Sequence, residues 1–287
     1  MRFKTLFFTV FSLVTFCSAN SQGLEKTINL GDRHFESGQI VEALYTYQRA
    51  VFYSTSGTNA NLLLKIAECF QSLGDFDNSI EYFDHAYYSA SSDSFKTEIL
   101  FKKTNSFLQT GNYHFALIEL LGISVEPESI LERRRSLYLA SAYYGLDDFA
   151  NSESYFIKCI PSGDNKSLEM VHGIFDKKGN FFRPNPKTAM WLSVFLPGTG
   201  QFYSGDWSSG INSFLLTGSF VGLTFYLTKL YHPIDAILTA LPWFQRYYQG
   251  GFGQAEEIAE KKRKSKRDKT YQRILGIIGT ANINEKE

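Results

Sequence analysis

The sequence predicts an all-α protein, a solenoid of four helical hairpins followed by a helical transmembrane segment. Three observations carry this expectation. A pattern of glycine, small and aromatic residues returns every 36 or 37 residues between Leu24 and Ile160. A 22-residue stretch, Gly210 to Tyr231, holds Lys229 as its only charged residue. Charge is also split unevenly beneath a formal net charge of zero: residues 22–182 carry 14 Lys and Arg against 21 Asp and Glu, and residues 183–287 carry 13 against 8. At 287 residues with 44% apolar side chains the chain can bury a sizeable core.

The first 21 residues have the layout of a secretory signal peptide. Arg2 and Lys4 precede an apolar run from Thr5 to Cys17, and Ala19-Asn20-Ser21 offers a cleavage site before Gln22. A run of 13 residues is short for a membrane span. An uncleaved anchor is the alternative, and Cys17 invites a lipoprotein reading that Phe16 argues against, because that site wants a small residue. Export would leave Cys69 and Cys159 in an oxidising compartment, two repeats apart and therefore too distant to pair. They read as small buried hydrophobes.

From residue 22 to 160 the repeats take over. The segments SGQIVEALYTYQRAV, LGDFDNSIEYFDHAY, TGNYHFALIELLGIS and GLDDFANSESYFIKCI align so that Ala43, Ser79, Ala116 and Ser152 share one position, spaced by 36, 37 and 36. Upstream, Leu30-Gly31, Ile66-Ala67 and Leu139-Ala140 share another, where the third repeat departs with Lys103-Thr104. Gly38, Gly74, Gly111 and Gly145 follow the first helix of each unit, where glycine readily adopts the left-handed conformation that ends a helix. Each unit is therefore a helix, a short turn and a second helix.

This pattern resembles the tetratricopeptide repeat (TPR) family, whose units place small residues at helix crossings and aromatics in the gaps. Phe76, Tyr113 and Phe149 match the aromatic after the turn, and Tyr47, Phe83 and Phe156 that of the second helix. The period is two or three residues longer than the family's, and its early Trp is missing. Such stacks curl around a concave surface that binds extended peptides or helices. Carrying over the family's groove register puts Ile28, Asp32, Leu64, Glu68, Phe101, Asn105, Leu137 and Ser141 on that surface. The resemblance implies a protein or peptide partner. The family's clamp for a C-terminal carboxylate is not expected, since Ile28 and Asp32 stand where it uses Lys and Asn. An acidic repeat half also excludes nucleic acid, whose phosphates it cannot neutralise.

Residues 161–187 read as a linker, punctuated by PSGDNK, DKKGN and FRPNPK, with MVHGIF as a short packed turn. Residues 188–250 form a membrane hairpin region of three apolar segments. The middle one, Gly210 to Tyr231, meets the length of a spanning helix, with Lys229 near its end where a lysine can snorkel. Gly218 and Gly222 make a GxxxG pair that permits close helix packing, and with it an oligomer. The stretch FLPGTGQFYSGDWSSGINSFLL, through Pro197, Gly198, Gly200, Gln201, Tyr203, Gly205 and Gly210, resembles the loop of small bacterial membrane-hairpin domains. That resemblance implies membrane insertion and lipid contact. Residues 251–287 form a basic helical tail with seven Lys and Arg between Lys261 and Lys269. Positive-inside reasoning puts the tail in the cytoplasm, which an exported N-terminus reaches after an odd number of crossings.

No catalytic constellation stands out. Gly198-Thr199-Gly200 is followed by Tyr203 where a dinucleotide fingerprint needs glycine. His34, His85, His114, His172 and His232 lack metal-ligand spacing, and no nucleophile elbow occurs. Asp235 reads as a helix cap at the membrane interface. The expectation is a non-enzymatic scaffold without cofactor or metal, tethered to a bacterial inner membrane with its repeats in the periplasm. The alternative is an accessory factor for membrane-protein insertion or transport in which the hairpin is the active part.

Overall fold

The computed structural model describes residues 23–54, 59–127, 129–230 and 232–284. The signal reading of residues 1–21, with Cys17, lies outside them. The described residues are mainly helical and contain no strand. The chain divides into two compact units, one ending at Cys159 and the other beginning at Ile160.

The first unit is a run of four helical hairpins: α1 (residues 23–36) with α2 (Ile40–Tyr53), α3 (Ala60–Ser72) with α4 (Phe76–Ser89), α5 (Asp93–Gln109) with α6 (Tyr113–Gly122), and α7 (Ile130–Gly145) with α8 (Phe149–Ile157). Gly38, Gly74 and Gly111 take the left-handed turn at φ 78°, 78° and 76°. In the fourth hairpin Asp147 takes it instead, at φ 64°, and Gly145 is the last residue of α7. A Cβ on Gly145 would fall 2.3 Å from the Tyr113 ring, so close packing and not the turn requires this glycine. Side-chain caps from Asp75 and Asp148 then satisfy otherwise unpaired N–H groups at the starts of α4 and α8.

Ala43, Ser79, Ala116 and Ser152 are all fully buried at the helix crossings. The Ser152 hydroxyl donates to the Ala140 carbonyl at 2.9 Å, so its polarity is satisfied inside the core. Tyr47, Phe83, Leu120 and Phe156 fill the gaps of successive hairpins. The Lys103 departure has a structural cause. Its side chain, 9% exposed, reaches Asp84 of α4 and Glu119 of α6, both at 2.6 Å. Burial alone would lower the Lys103 pKa, but the two carboxylates outweigh it and hold the ammonium above the ordinary lysine range.

The second unit begins with α9 (Asn165–Phe175) and a 3-10 turn (Lys178–Phe182), which occupy the stretch read as a linker. Val171, Phe175 and Phe181 are buried there, and α9 packs against the far end of α13. Next come α10 (Pro186–Phe195), α11 (Thr199–Tyr203), α12 (Trp207–Leu230) and α13 (Pro233–Asn284). The third apolar segment and the basic tail are thus one helix of 52 residues, continuous through Pro242 and Gly250-Gly251. Ala189 of α10 meets Ala255 and Ala259 of α13, small residues that let the two helices approach closely.

A charged repeat face and an apolar helical hairpin

The first helices of successive repeats are linked by ion pairs. Asp32 of α1 pairs with Lys65 of α3, Glu68 of α3 with Lys102 of α5 at 2.6 Å, and Glu98 of α5 with Arg134 of α7 at 2.6 Å. The result is a ladder running along the repeats, each rung joining one unit to the next. Asp32 also accepts a hydrogen bond from the Tyr47 hydroxyl at 2.6 Å. Burial works to raise the Asp32 pKa, but hydrogen bonds from Lys65 and Tyr47, with the lysine charge, outweigh it and hold the carboxyl below its usual range. Arg134 stacks over the Phe101 ring at 4.4 Å, adding a cation–π contact to its rung.

The eight residues expected in the groove separate into two sets. Asp32 and Glu68 belong to the ladder, Asn105, Leu137 and Ser141 are half-exposed, and Ile28 is half-buried against the first core cluster. Leu64 and Phe101 do not line an open face. Leu64 is 8% exposed and Phe101 fully buried, each packed in a hydrophobic core. Their apolar chemistry made the carried-over register wrong at those two positions. Lys65, Lys102, Glu98 and Arg134 were missed. A signal was present, because Asp32 and Glu68 lie 36 apart and Lys65 and Lys102 lie 37 apart, matching the repeat. A separate apolar stripe on α6, formed by Phe115, Ile118 and Leu121, is also exposed.

In the second unit Leu196-Pro197-Gly198 makes the tight turn between α10 and α11, and the following TGQFY is α11 itself. Gly198 sits at φ 91°, and a Cβ there would fall 2.4 Å from the Gly210 carbonyl oxygen. A Cβ on Gly200 would fall 1.9 Å from the Ala189 carbonyl oxygen. Both positions therefore exclude side chains. Gln201, fully buried, accepts from the Ser193 hydroxyl at 3.0 Å and donates to the Gly251 carbonyl at 2.7 Å. The Gly200 N–H donates to the same serine at 2.9 Å. Tyr203 receives the Asn185 N–H at 3.2 Å, and Gly205 accepts from Lys262 at 2.8 Å. Pro197 lies in this turn and is half-buried.

The expected hairpin is corrected in one respect. Its two long antiparallel legs are α12, ending at Leu230, and α13, beginning at Pro233, and the PGTG turn lies at its base. Gly210, Ser213 and Thr217 are the buried small residues of α12. Gly218 and Gly222 face away from α13, with no atom within 4 Å of a Cβ built on either. Within this chain they do not pack helices together.

The described residues gather no group of three or more His, Cys, Asp or Glu able to hold a metal ion. Cys69 and Cys159 are buried thiols not joined in a disulfide, and burial chiefly pushes each up to about 12, where it stays protonated. A tetratricopeptide repeat family model matches residues 60–93, the α3–α4 hairpin and the entry into α5. No curated protein matches the chain. Repeats of this kind generally serve as non-catalytic scaffolds for protein–protein interaction, and the first unit has that architecture.

Proposed function

We propose that the protein is a membrane-tethered scaffold whose repeat face holds a protein or peptide partner while the C-terminal helices fix it to a bacterial inner membrane. The observation that carries the tether is α12, 24 residues long and apolar, of which only 17% of the most apolar window is covered by protein. A 24-residue helix is about 36 Å long, enough to cross the hydrocarbon layer. Tethering raises the effective concentration of a bound partner at the membrane without new contacts. The secretory layout of residues 1–21 supports a periplasmic repeat unit. The ladder gives the partner a face of alternating charge, beside which Asn105, Leu137 and Ser141 remain accessible.

Two measurements test this reading. Membranes carrying the full chain are washed with alkaline carbonate, and a reporter active only in the periplasm is fused after Ser162. Retention on washing with an active reporter is expected; release sinks the tether, and an inactive reporter moves the repeats to the cytoplasm. Photo-crosslinkers at Asn105 or Leu137 are expected to capture a defined partner that one at Tyr88, 81% exposed on the second helix, does not. Equal capture at all three sites would remove the first-helix face from the mechanism.

A further inference from the structure

The exposed apolar side chains of the second unit do not stop at α12. They run from Ile211 to Leu230 on α12 and continue on α13 through Ile234, Ile237, Leu238, Leu241, Trp243 and Tyr247. Between Trp207 and Gly250 the only Asp, Glu, Lys or Arg residues are Lys229, Asp235 and Arg246. The two helices pack in antiparallel register. Lys262 bonds to the Gly205 carbonyl, a Cβ on Gly251 would touch Ser213, and the Tyr247 ring stacks on Phe220 at 5.1 Å. Each step toward the turn on one helix is matched by a step toward it on the other.

Ile211 to Leu230 covers 20 residues, about 30 Å, which equals the hydrocarbon thickness of a bilayer. Lys229, His232 and Asp235 then sit together at the turn, where headgroups can solvate them. At the other end Trp207 and Tyr203, both exposed, lie beside the base, as interfacial aromatics do. Because Tyr247 pairs with Phe220, Arg246 is exposed level with the middle of the Ile211–Leu230 span, so the crossing carries one cation at that depth, which local thinning of the bilayer and a water defect must accommodate. An apolar cleft of about 380 Å³ between Val221, Phe225, Ile237 and Leu241 opens along the hairpin side, a surface suited to acyl chains and not to water. The described helices between Ile160 and Trp207 have 11, 5, 10 and 5 residues, all shorter than a span needs.

Building on the tether, we propose that α12 and the first half of α13 cross the bilayer as one hairpin and return, so that the basic stretch Lys261–Lys269 lies on the same side of the membrane as residue 160 and the repeat unit. This replaces the odd number of crossings expected from charge alone. The compartment of the repeats and that of the basic helix become a single question with a single answer.

Cysteines introduced one at a time at Ser162, His232 and Ser265, all exposed positions, test the proposal in the full-length chain with Cys17→Ala, whose buried Cys69 and Cys159 set the labelling background. Membranes are first washed with alkaline carbonate, then intact spheroplasts and inverted vesicles are treated with a membrane-impermeant maleimide. The expected result is that S162C and S265C label from one side and H232C from the other. Labelling of S265C from the side opposite S162C would establish a single crossing and overturn the proposal while leaving the tether intact. Labelling of all three from one side would place the hairpin in one leaflet and overturn it as well. Release by carbonate would instead sink the tether itself, and the hairpin crossing with it.

Discussion

Lys103 is the residue where the repeat pattern breaks, and the break tells what the position does. Its ammonium is held between Asp84 and Glu119, so Lys103→Ala leaves two acids facing each other without a counter-ion. The expected loss is about 2–3 kcal/mol, less than for a fully buried pair because Asp84 is 40% and Glu119 24% exposed. Chemical denaturation followed by helical circular dichroism measures it. The pH dependence has a definite sign. Because the folded-state pKa is raised, the pairing contributes fully below the ordinary lysine value of 10.5 and is lost as pH rises through the raised value. The gap between wild type and K103A should therefore be flat near neutrality and close only in strong alkali. The cysteines make a second residue-scale prediction. With thiols near 12, about one in ten thousand is ionised at pH 8, so Cys69 and Cys159 should resist maleimide in the folded chain and react on denaturation.

At the scale of elements, the hairpins were legible because their tightest contacts recur at one spacing. A crossing that admits only Ala or Ser repeats that constraint in each unit, and Ala43, Ser79, Ala116 and Ser152 record it. The fourth turn was not legible, since Gly145 looked like a turn glycine but serves the Tyr113 contact. The 52-residue α13 was hidden as well, because Pro242 and Gly250-Gly251 look like breaks. Packing overrides them: Ala255 and Ala259 of α13 pack against Ala189 of α10, and Gly251 allows Ser213 to approach. Leu64 and Phe101 show the limit of a borrowed register, where a residue that suits a groove suits a core better. Two substitutions separate these roles. Phe83→Ala empties a fully buried site between α3 and α4 and should cost about 3–5 kcal/mol. Gly198→Ala should disrupt the α10–α11 turn through both its left-handed backbone and its clash with Gly210, seen as faster proteolysis near residue 198.

For the whole molecule, the ladder raises the question of whether its charges hold the repeats together or present them. Each rung is partly solvent-exposed, with side chains 25–38% accessible, so each contributes less than about 1 kcal/mol. A solenoid's stability resides in its repeat cores and the apolar interfaces between neighbours, and a few such rungs add little to it. Charges that stabilise weakly yet stand in register along one face are suited to selecting a partner, because complementary charge steers encounter and penalises mismatched surfaces. Glu98→Ala and Arg134→Ala separate the two roles. In a double-mutant cycle the pair should couple by less than about 1 kcal/mol in folding. Partner capture from Leu137, on the same helix as Arg134, should nevertheless fall in both single variants and become less sensitive to added salt. Unchanged capture together with a large folding loss would make the ladder a strut and shift the partner to another surface, with the exposed α6 stripe of Phe115, Ile118 and Leu121 the next to test.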